Sequence, residues 1–400
     1  MKILVLNCGS SSLRFQVIDM KNEDRIVKGH YERVGGKNSS LRLNVRGEKS
    51  VITHVARTHE EAISFVLELL LDPKYQILDS LDDLEAIGHR IVHGGEYFNE
   101  SVLITPDVIE KIRQCIPLAP LHNPESLAGI EAVKKLLPDK PMVAVFDTAF
   151  HQTMDKKTYL YQIPYGYYEK YQIRKYGFHG TSHRYVASRV ATLLKKDIKT
   201  LKIISCHLGQ GASICAIKNG KSVDTSMGLT PMSGIPMATR SGDIDPSIVT
   251  YLMKQENLLP DEMDKILNKK SGAWGVSGVS EDYRDIEKAY EEGDERSIIA
   301  LDGQSYKVAQ YIAQYMVTLG GADVIIFTGG VGENGYETRE RICQYLEFLG
   351  VELDQEKNRV KGIETCISSS HSKIALYVIP TNEELMIARD THQVLQKESL

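Results

Sequence analysis

The chain has 400 residues with 25% charged side chains and a formal net charge of -5; that length favours two domains over one, and the charge gives no electrostatic reason for a nucleic-acid or anionic-membrane partner. Cys8, Cys115, Cys206, Cys215, Cys343 and Cys366 show no paired metal or redox spacing and read as reduced thiols. No apolar run approaches the ~18 residues of a membrane span, and the N-terminal one is too short for a signal peptide, so a cytoplasmic protein is expected.

Ile3–Leu6 is an apolar run suited to a buried strand. Asn7-Cys8-Gly9-Ser10-Ser11-Ser12 follows as a polar turn, and Leu13, Phe15 and Val17 alternate with Arg14, Gln16 and Ile18 as a second strand. Backbone N–H groups, hydroxyls and an amide in one turn suit a phosphate-like anion; an ordinary Ser-rich hairpin fits the same residues. Peripheral strands are expected over 20–57. Thr58-His59-Glu60-Glu61 has the capping-box pattern in front of a helix through Leu71. Ala86–Val92 reads as a strand that ends with Arg90 near Gly94-Gly95, where the guanidinium is either a solvated turn group or a cleft group. Asn123 is the expected cap, and Pro124 the first position, of a helix that buries Leu127, Ile130, Val133 and Leu136. His122 before it either faces an anion or packs as a polar plug. The run Pro141–Phe146 delivers Asp147 at the carboxyl end of a strand, where open α/β sheets place ligand groups.

A Tyr-rich segment after Phe150 marks a domain boundary near 150. His179 and His183 have the i, i+4 spacing of a zinc helix, but Gly180 and the cap candidates Thr181 and Ser182 put His179 in the preceding loop, where phosphate is the better partner. The opening pattern then recurs: strand Leu201–Ser205, Gly-rich turn Cys206–Ser213, strand Ile214–Ile217, then a tight turn at Asn219-Gly220. Gly220-Lys221-Ser222 mimics the end of a P-loop, but Cys215 stands where its first Gly must be. Two strand–turn–strand units suggest a duplicated domain. Asp245-Pro246 reads as a helix cap and first position, with Arg240 in the loop before it. A long helix is expected from about Ile298 to Leu319, then strand Val324–Thr328 and a Gly-rich loop Gly329–Gly335. Thr381 and Glu384 fit a capping box for the last helix, which leaves Glu383 as the freer carboxylate.

Taken together, Asn7–Leu13, Gly88–Gly95, Tyr176–His183, His207-Leu208-Gly209, Asp224–Gly228, Thr239–Pro246, Ser277–Ser280, Phe327–Asn334 and Thr381–Glu384 resemble the acetate kinase family, within the actin/hexokinase/heat-shock-type ATPase superfamily. The resemblance runs end to end in the family's order. It implies an α/β fold of two duplicated actin-like (ribonuclease H-like) domains with a central interdomain cleft. Residues 1–150 would form the N-terminal domain, joined by a C-terminal helix over 384–400, and 151–383 the nucleotide-binding domain. It further implies reversible, Mg2+-dependent transfer of the ATP γ-phosphoryl to acetate, giving acetyl phosphate and ADP, with Mn2+ as the alternative metal and a homodimer as the assembly.

By the same resemblance, Arg90 and Arg240 would hold the carboxylate and the moving phosphoryl, a task that suits forked guanidinium donors. His179 would donate to that phosphoryl with His122 in support, Asn7 and Asp147 would act near the metal and the phosphoryl path, and Glu383 would hold Mg2+ largely through waters. Val92, Leu121, Phe178 and Pro231 would line the methyl pocket. Arg14, His207, Leu208, Gly209, Gln210 and Gly211 would serve the phosphates; Asp282, Tyr283, Arg284, Gly330, Val331, Gly332 and Asn334 would serve adenosine. The chain departs from the family's commoner residues at Arg14 (Lys), Gln210 (Asn), Ser233 (Glu) and Ala238 (Gly). Val92 favours an acetate-sized pocket over propionate, although one methylene discriminates by only ~1–3 kcal/mol. The small Gly330-Val331 pair leaves room for adenine and argues against pyrophosphate as donor. A non-catalytic actin-like nucleotide-binding protein would not need Arg90, Arg240 and His179 together.

Overall fold

The computed structural model describes residues 1–398. Two compact units divide the chain: one runs Met1–Gln152 and resumes at Asn382, and the other is Thr153–Thr381. Among the described residues each unit is built on one mixed sheet.

In the first unit the strands are β1 (Lys2–Gly9), β2 (Ser12–Asp19), β3 (Asp24–Glu32), β4 (Ser40–Val45), β5 (Glu48–Thr53), β6 (Leu84–Ile91), β7 (Val102–Leu103) and β8 (Met142–Phe146), in the order β5-β4-β3-β2-β1-β6-β8-β7. β1 pairs antiparallel with β2 and parallel with β6, and β6 parallel with β8. Every residue of β8 is buried, as a strand covered on both faces requires. In the second unit β9 (Lys202–His207), β10 (Ser213–Lys218), β11 (Lys221–Thr225), β12 (Val324–Thr328), β13 (Thr365–Cys366) and β14 (Ala375–Val378) take the order β11-β10-β9-β12-β14-β13. Here too an antiparallel hairpin, β9–β10, leads into parallel neighbours, β12 and β14. The two sheets thus share the plan expected of a duplicated domain.

The turns carry the local detail. β1 runs through Gly9 and β2 begins at Ser12, so the expected six-residue turn is a two-residue connection at Ser10-Ser11, with Asn7 and Arg14 paired across the hairpin. Asn219 (φ 56) and Gly220 (φ 75) make the tight β10–β11 turn, which needs two left-handed residues. Asp245 caps the helix Pro246–Gln255 through Ser247 N–H, and the long helix Glu295–Leu319 runs from the Asp294 cap to Gly320 at φ 66.

Several sequence expectations are corrected. Thr58 caps the helix His59–Leu71, but the Glu61 carboxylate accepts from Arg57 N–H rather than closing a box on Thr58. Asn123 lies inside the helix Asn123–Leu136. Its amide is drawn away from the helix to His93 N and O, which pins the segment after β6. Thr181 and Ser182 lie within the helix Gly180–Leu194, and His179 itself occupies the cap position in left-handed conformation. Gly329–Asn334 is a short helix rather than a loop. The last helix, Glu383–Glu398, is capped by Asn382, whose side chain accepts from Leu385 N–H, because Thr381 is engaged elsewhere. No helix among the described residues is long and apolar enough to cross a membrane.

Candidate active site

In the first unit the polar centre is Arg90, on β6. Asp147 follows β8 directly, its N–H bonded to Ile91 O, and meets Arg90 in a two-point pair: Nε to Oδ1 at 3.1 Å and Nη2 to Oδ2 at 2.5 Å. Arg90 Nη1 donates to Asn7 Oδ1 at 3.2 Å, so β1, β6 and the residue that follows β8 each contribute one member. Burial alone would lower the Arg90 pKa; Asp147, Glu383 and Glu384 more than offset it, and the group is firmly cationic. Glu383, at the start of the last helix, feels the converse. Burial pushes its carboxyl up to about 7, with Asp147 and Glu384 adding to the rise while Arg90 and Arg14 oppose it. Carboxylate oxygens are the donors a hard divalent cation takes, but among the described residues no group of three or more His, Cys, Asp or Glu is arranged to hold a metal ion by itself. Arg14 is exposed on β2, Val92 and His122 are half-buried, and Leu121 is 67% exposed. His59, which the sequence reading missed, hydrogen-bonds Gly9 O at 2.8 Å and braces the Ser10-Ser11 turn from behind.

In the second unit the sequence candidates converge on the Gly-rich connection between β9 and β10. A Cβ built on Gly211 would stand 3.3 Å from Arg240 Nη1 and 3.5 Å from His179 Nε2, so both groups come within van der Waals reach of this turn. Arg240 is half-buried, and its contacts are Pro231 O at 3.3 Å and Met237 Sδ at 3.7 Å. Among the described residues no carboxylate pairs with it. Burial lowers its pKa, the signature of a desolvated cation that lacks a counter-charge. His207 stacks on His179 with ring centroids 4.1 Å apart, and Ser182 Oγ lies 2.8 Å from both His207 Nδ1 and Thr381 Oγ1.

Leu208 joins the phosphate candidates to the adenosine candidates. Its carbonyl accepts from Val331 and Gly332 N–H, and its N–H donates to Thr328 O. The Glu333 carboxylate, also missed in the sequence, accepts from Gly329 and Thr381 N–H at 2.9 Å and ties β12, its helix and the approach to the last helix together. Gly330 and Asn334 are exposed on this turn, with Asn334 Nδ2 donating to Gly330 O. Asp282 caps the helix Tyr283–Glu291, and its pKa is held low by the Arg284 side chain and N–H. Tyr283 is buried in a cluster with Ala238, Ala273 and Ile286, its hydroxyl 2.6 Å from Gln304 Nε2. Gln210 sends its amide to Glu281 O at 3.1 Å, away from the turn. Phe178 is buried.

The model of the Acetokinase family matches residues 2–389. The acetate kinase of Thermoanaerobacterium thermosaccharolyticum is 55% identical over 397 residues, covering 99% of each chain. Among solved structures, the chain is similar to the acetate kinase of Porphyromonas gingivalis, with 48% identity, a TM-score of 0.94 and coverage of 98% of this chain and 99% of that one. It is also similar to a propionate kinase from Francisella tularensis, with 42% identity and a TM-score of 0.92 over the same shares.

Proposed function

The chain belongs to the acetokinase family, and from that premise we propose that it catalyses reversible transfer of the ATP γ-phosphoryl to acetate, giving acetyl phosphate and ADP by direct in-line displacement. The observation that carries this reading is the end-to-end match to acetate kinases at 55% identity. An α/β actin-like fold goes with it. The family likeness also supports a cytoplasmic homodimer.

The chemistry asks for positioning and charge stabilisation rather than a base, because the acceptor is already a carboxylate. Arg90, fixed in plane by Asp147 and Asn7, presents a guanidinium whose direction is set before the carboxylate arrives. Arg240 is a half-buried, partly desolvated cation without a partner carboxylate, and the charge developing on the phosphoryl oxygens supplies what it lacks. His179 adds a donor beside it, and His122 supports from the helix start at Asn123. By the family resemblance, Val92 and Leu121 of the first unit, and Phe178 and Pro231 of the second, are the residues assigned to the acetate methyl. Arg14 and the backbone of His207–Gly211, with the side chain of Gln210 turned aside, serve the phosphates. Asp282, Arg284 and the Gly330–Asn334 turn serve adenosine, with the buried Tyr283 shaping that wall. Glu383, with Asn7, would hold Mg2+, which neutralises polyphosphate charge when bound.

Hydroxylamine trapping of acyl phosphate tests this, with acetate or propionate as acceptor and Mg-ATP or pyrophosphate as donor. Acetate with ATP is expected to give hydroxamate, and Arg240→Ala to lose ~10²–10³ of the rate. ATP turnover without acyl product would overturn the proposal in favour of an actin-like nucleotide-binding protein. The likeness to a propionate kinase favours one second reading, propionate as preferred acceptor, and a higher rate with propionate would select it.

A further inference from the structure

His179 is held at φ 56, a conformation that costs a non-glycine residue roughly 1–2 kcal/mol, at the mouth of the helix Gly180–Leu194. Its ring has two distinct edges. The Nε2 edge faces the Gly211 turn, which the Arg240 guanidinium also approaches. The Nδ1 edge lies 2.9 Å from Ser213 Oγ. That hydroxyl is also 2.8 Å from His183 Nε2, and His183 Nδ1 is 2.8 Å from Ser205 Oγ. Ser205, His183 and Ser213 have no solvent exposure, so bulk water does not compete for these contacts.

A serine hydroxyl carries one proton. Ser213 can therefore donate to one imidazole only and must accept from the other, which makes the series directional. Ser205 decides the direction, since its one side-chain partner among the described residues is His183. If Ser205 accepted, its own O–H would be buried without an acceptor, at a cost of about 1–3 kcal/mol. So Ser205 donates to His183 Nδ1, His183 Nε2–H donates to Ser213, and Ser213 donates to His179 Nδ1. The proton of a neutral His179 is then on Nε2, the edge that faces the Gly211 turn. His207 stacks on the other side of the ring but takes Ser182 on its own Nδ1, so it leaves this series undisturbed.

We infer that Ser213, backed by His183 and Ser205, is a positioning residue that fixes His179 as the Nε2–H tautomer, so that a donor rather than a lone pair faces the anion. The wrong tautomer would set a lone pair against phosphoryl oxygens, a disabling error in other imidazole-dependent enzymes. What that donor serves rests on the phosphoryl-transfer reading; the tautomer is a property of the unliganded protein.

Long-range 1H–15N correlation of the imidazoles in the 15N-labelled protein reads it directly, with His179 assigned by the loss of its signals in His179→Gln. The wild type is expected to show Nε2 protonated and Nδ1 bare. Ser213→Ala is expected to give a mixture of His179 tautomers and a kcat lower by about 10- to 100-fold, with both KM values essentially unchanged. Ser213→Thr, which keeps the hydroxyl, should restore both readouts. If Ser213→Ala does not fold, Ser205→Ala applies the same test two hydrogen bonds further back and should also mix the tautomers. An Nδ1–H tautomer in the wild type overturns the inference, as does an unmixed Nε2–H tautomer in the variants. A wild type that shows the Nε2–H tautomer but makes no acyl phosphate would instead overturn the function and leave this inference standing.

Discussion

Arg90 and Arg240 are the same side chain in opposite states of compensation. Arg90 shares two hydrogen bonds with Asp147, which is only 2% exposed, and a third with Asn7. Arg240 has a carbonyl and a thioether. Removing the first leaves a buried carboxylate without its cation, a defect that typically costs ~3–5 kcal/mol. Removing the second deletes a desolvated charge that was never paired, so folding loses little. Arg90→Ala is therefore expected to lower both activity and the unfolding free energy from urea titration, and Arg240→Ala to lower activity while its unfolding free energy stays within about 0.5 kcal/mol of wild type. Equal destabilisation of the two would contradict the different surroundings described for them. At this scale the sequence named the arginines, Asp147 and His179 as candidates from motif alone. It did not reveal what each touches: Asn123 holding His93, Glu333 holding Thr381, or Ser213 between two imidazoles. Those contacts are made across strands and loops far apart in sequence, and no spacing rule encodes them.

Strand β6 shows how an element sorts its residues. Gly88, His89 and Arg90 are consecutive, and the pleat sends His89 to the face opposite the other two. On one face a Cβ at Gly88 would fall 2.7 Å from Ile387 Cγ2 and 2.6 Å from Thr391 Oγ1, so the glycine lets the last helix approach the sheet. On the other face His89 is 2% exposed with Nε2 unpartnered, and burial drives its pKa down to about 3 from 6.5. The pH dependence follows with a definite sign. Above pH 6.5 the imidazole is neutral in both folded and unfolded chains, and its contribution is fully present. Below 6.5 the unfolded chain takes a proton that the folded one refuses, so stability falls with pH down toward 3. Between pH 6.5 and about 4.5 this one group accounts for roughly 2–3 kcal/mol of the loss. His89→Leu should flatten the urea-derived stability curve by that amount over this range, and superimposable curves would show that His89 titrates normally. Strands and long helices such as β6 and Glu295–Leu319 were legible from periodicity; the starts of helices were less so. At Thr181, Ser182 and Thr381 the residues that look like caps are recruited by tertiary hydrogen bonds or lie within the first turn, and a neighbour takes the role.

At the scale of the molecule, both ends of the chain belong to the same unit. The central strands β1, β6 and β8 are laid down early, yet the helix that covers them, Glu383–Glu398, comes last. It buries Leu385, Ile387, Ala388, Asp390 and Thr391. Ser101 Oγ donates to Asp390 Oδ2 at 2.5 Å, and Arg389 makes a forked, half-exposed pair with Glu23 that adds little by comparison. Burial of Leu385 and Ile387 alone contributes about 3–6 kcal/mol, a large part of the ~5–15 kcal/mol that holds a typical domain folded. A chain ending at Thr381 should therefore keep the unit Thr153–Thr381 and lose the other. Calorimetry is expected to resolve a transition for Met1–Gln152 well below that of the intact chain, with limited proteolysis cutting there first. A peptide of residues 382–400 added in trans should raise that lower transition as its concentration rises, because it binds only the folded unit. A truncated chain that melts in one transition at the wild-type temperature would mean that the last helix merely decorates the sheet. The close fit at Gly88 argues for the former: side chains of that helix occupy the space where any other residue on β6 would place its own.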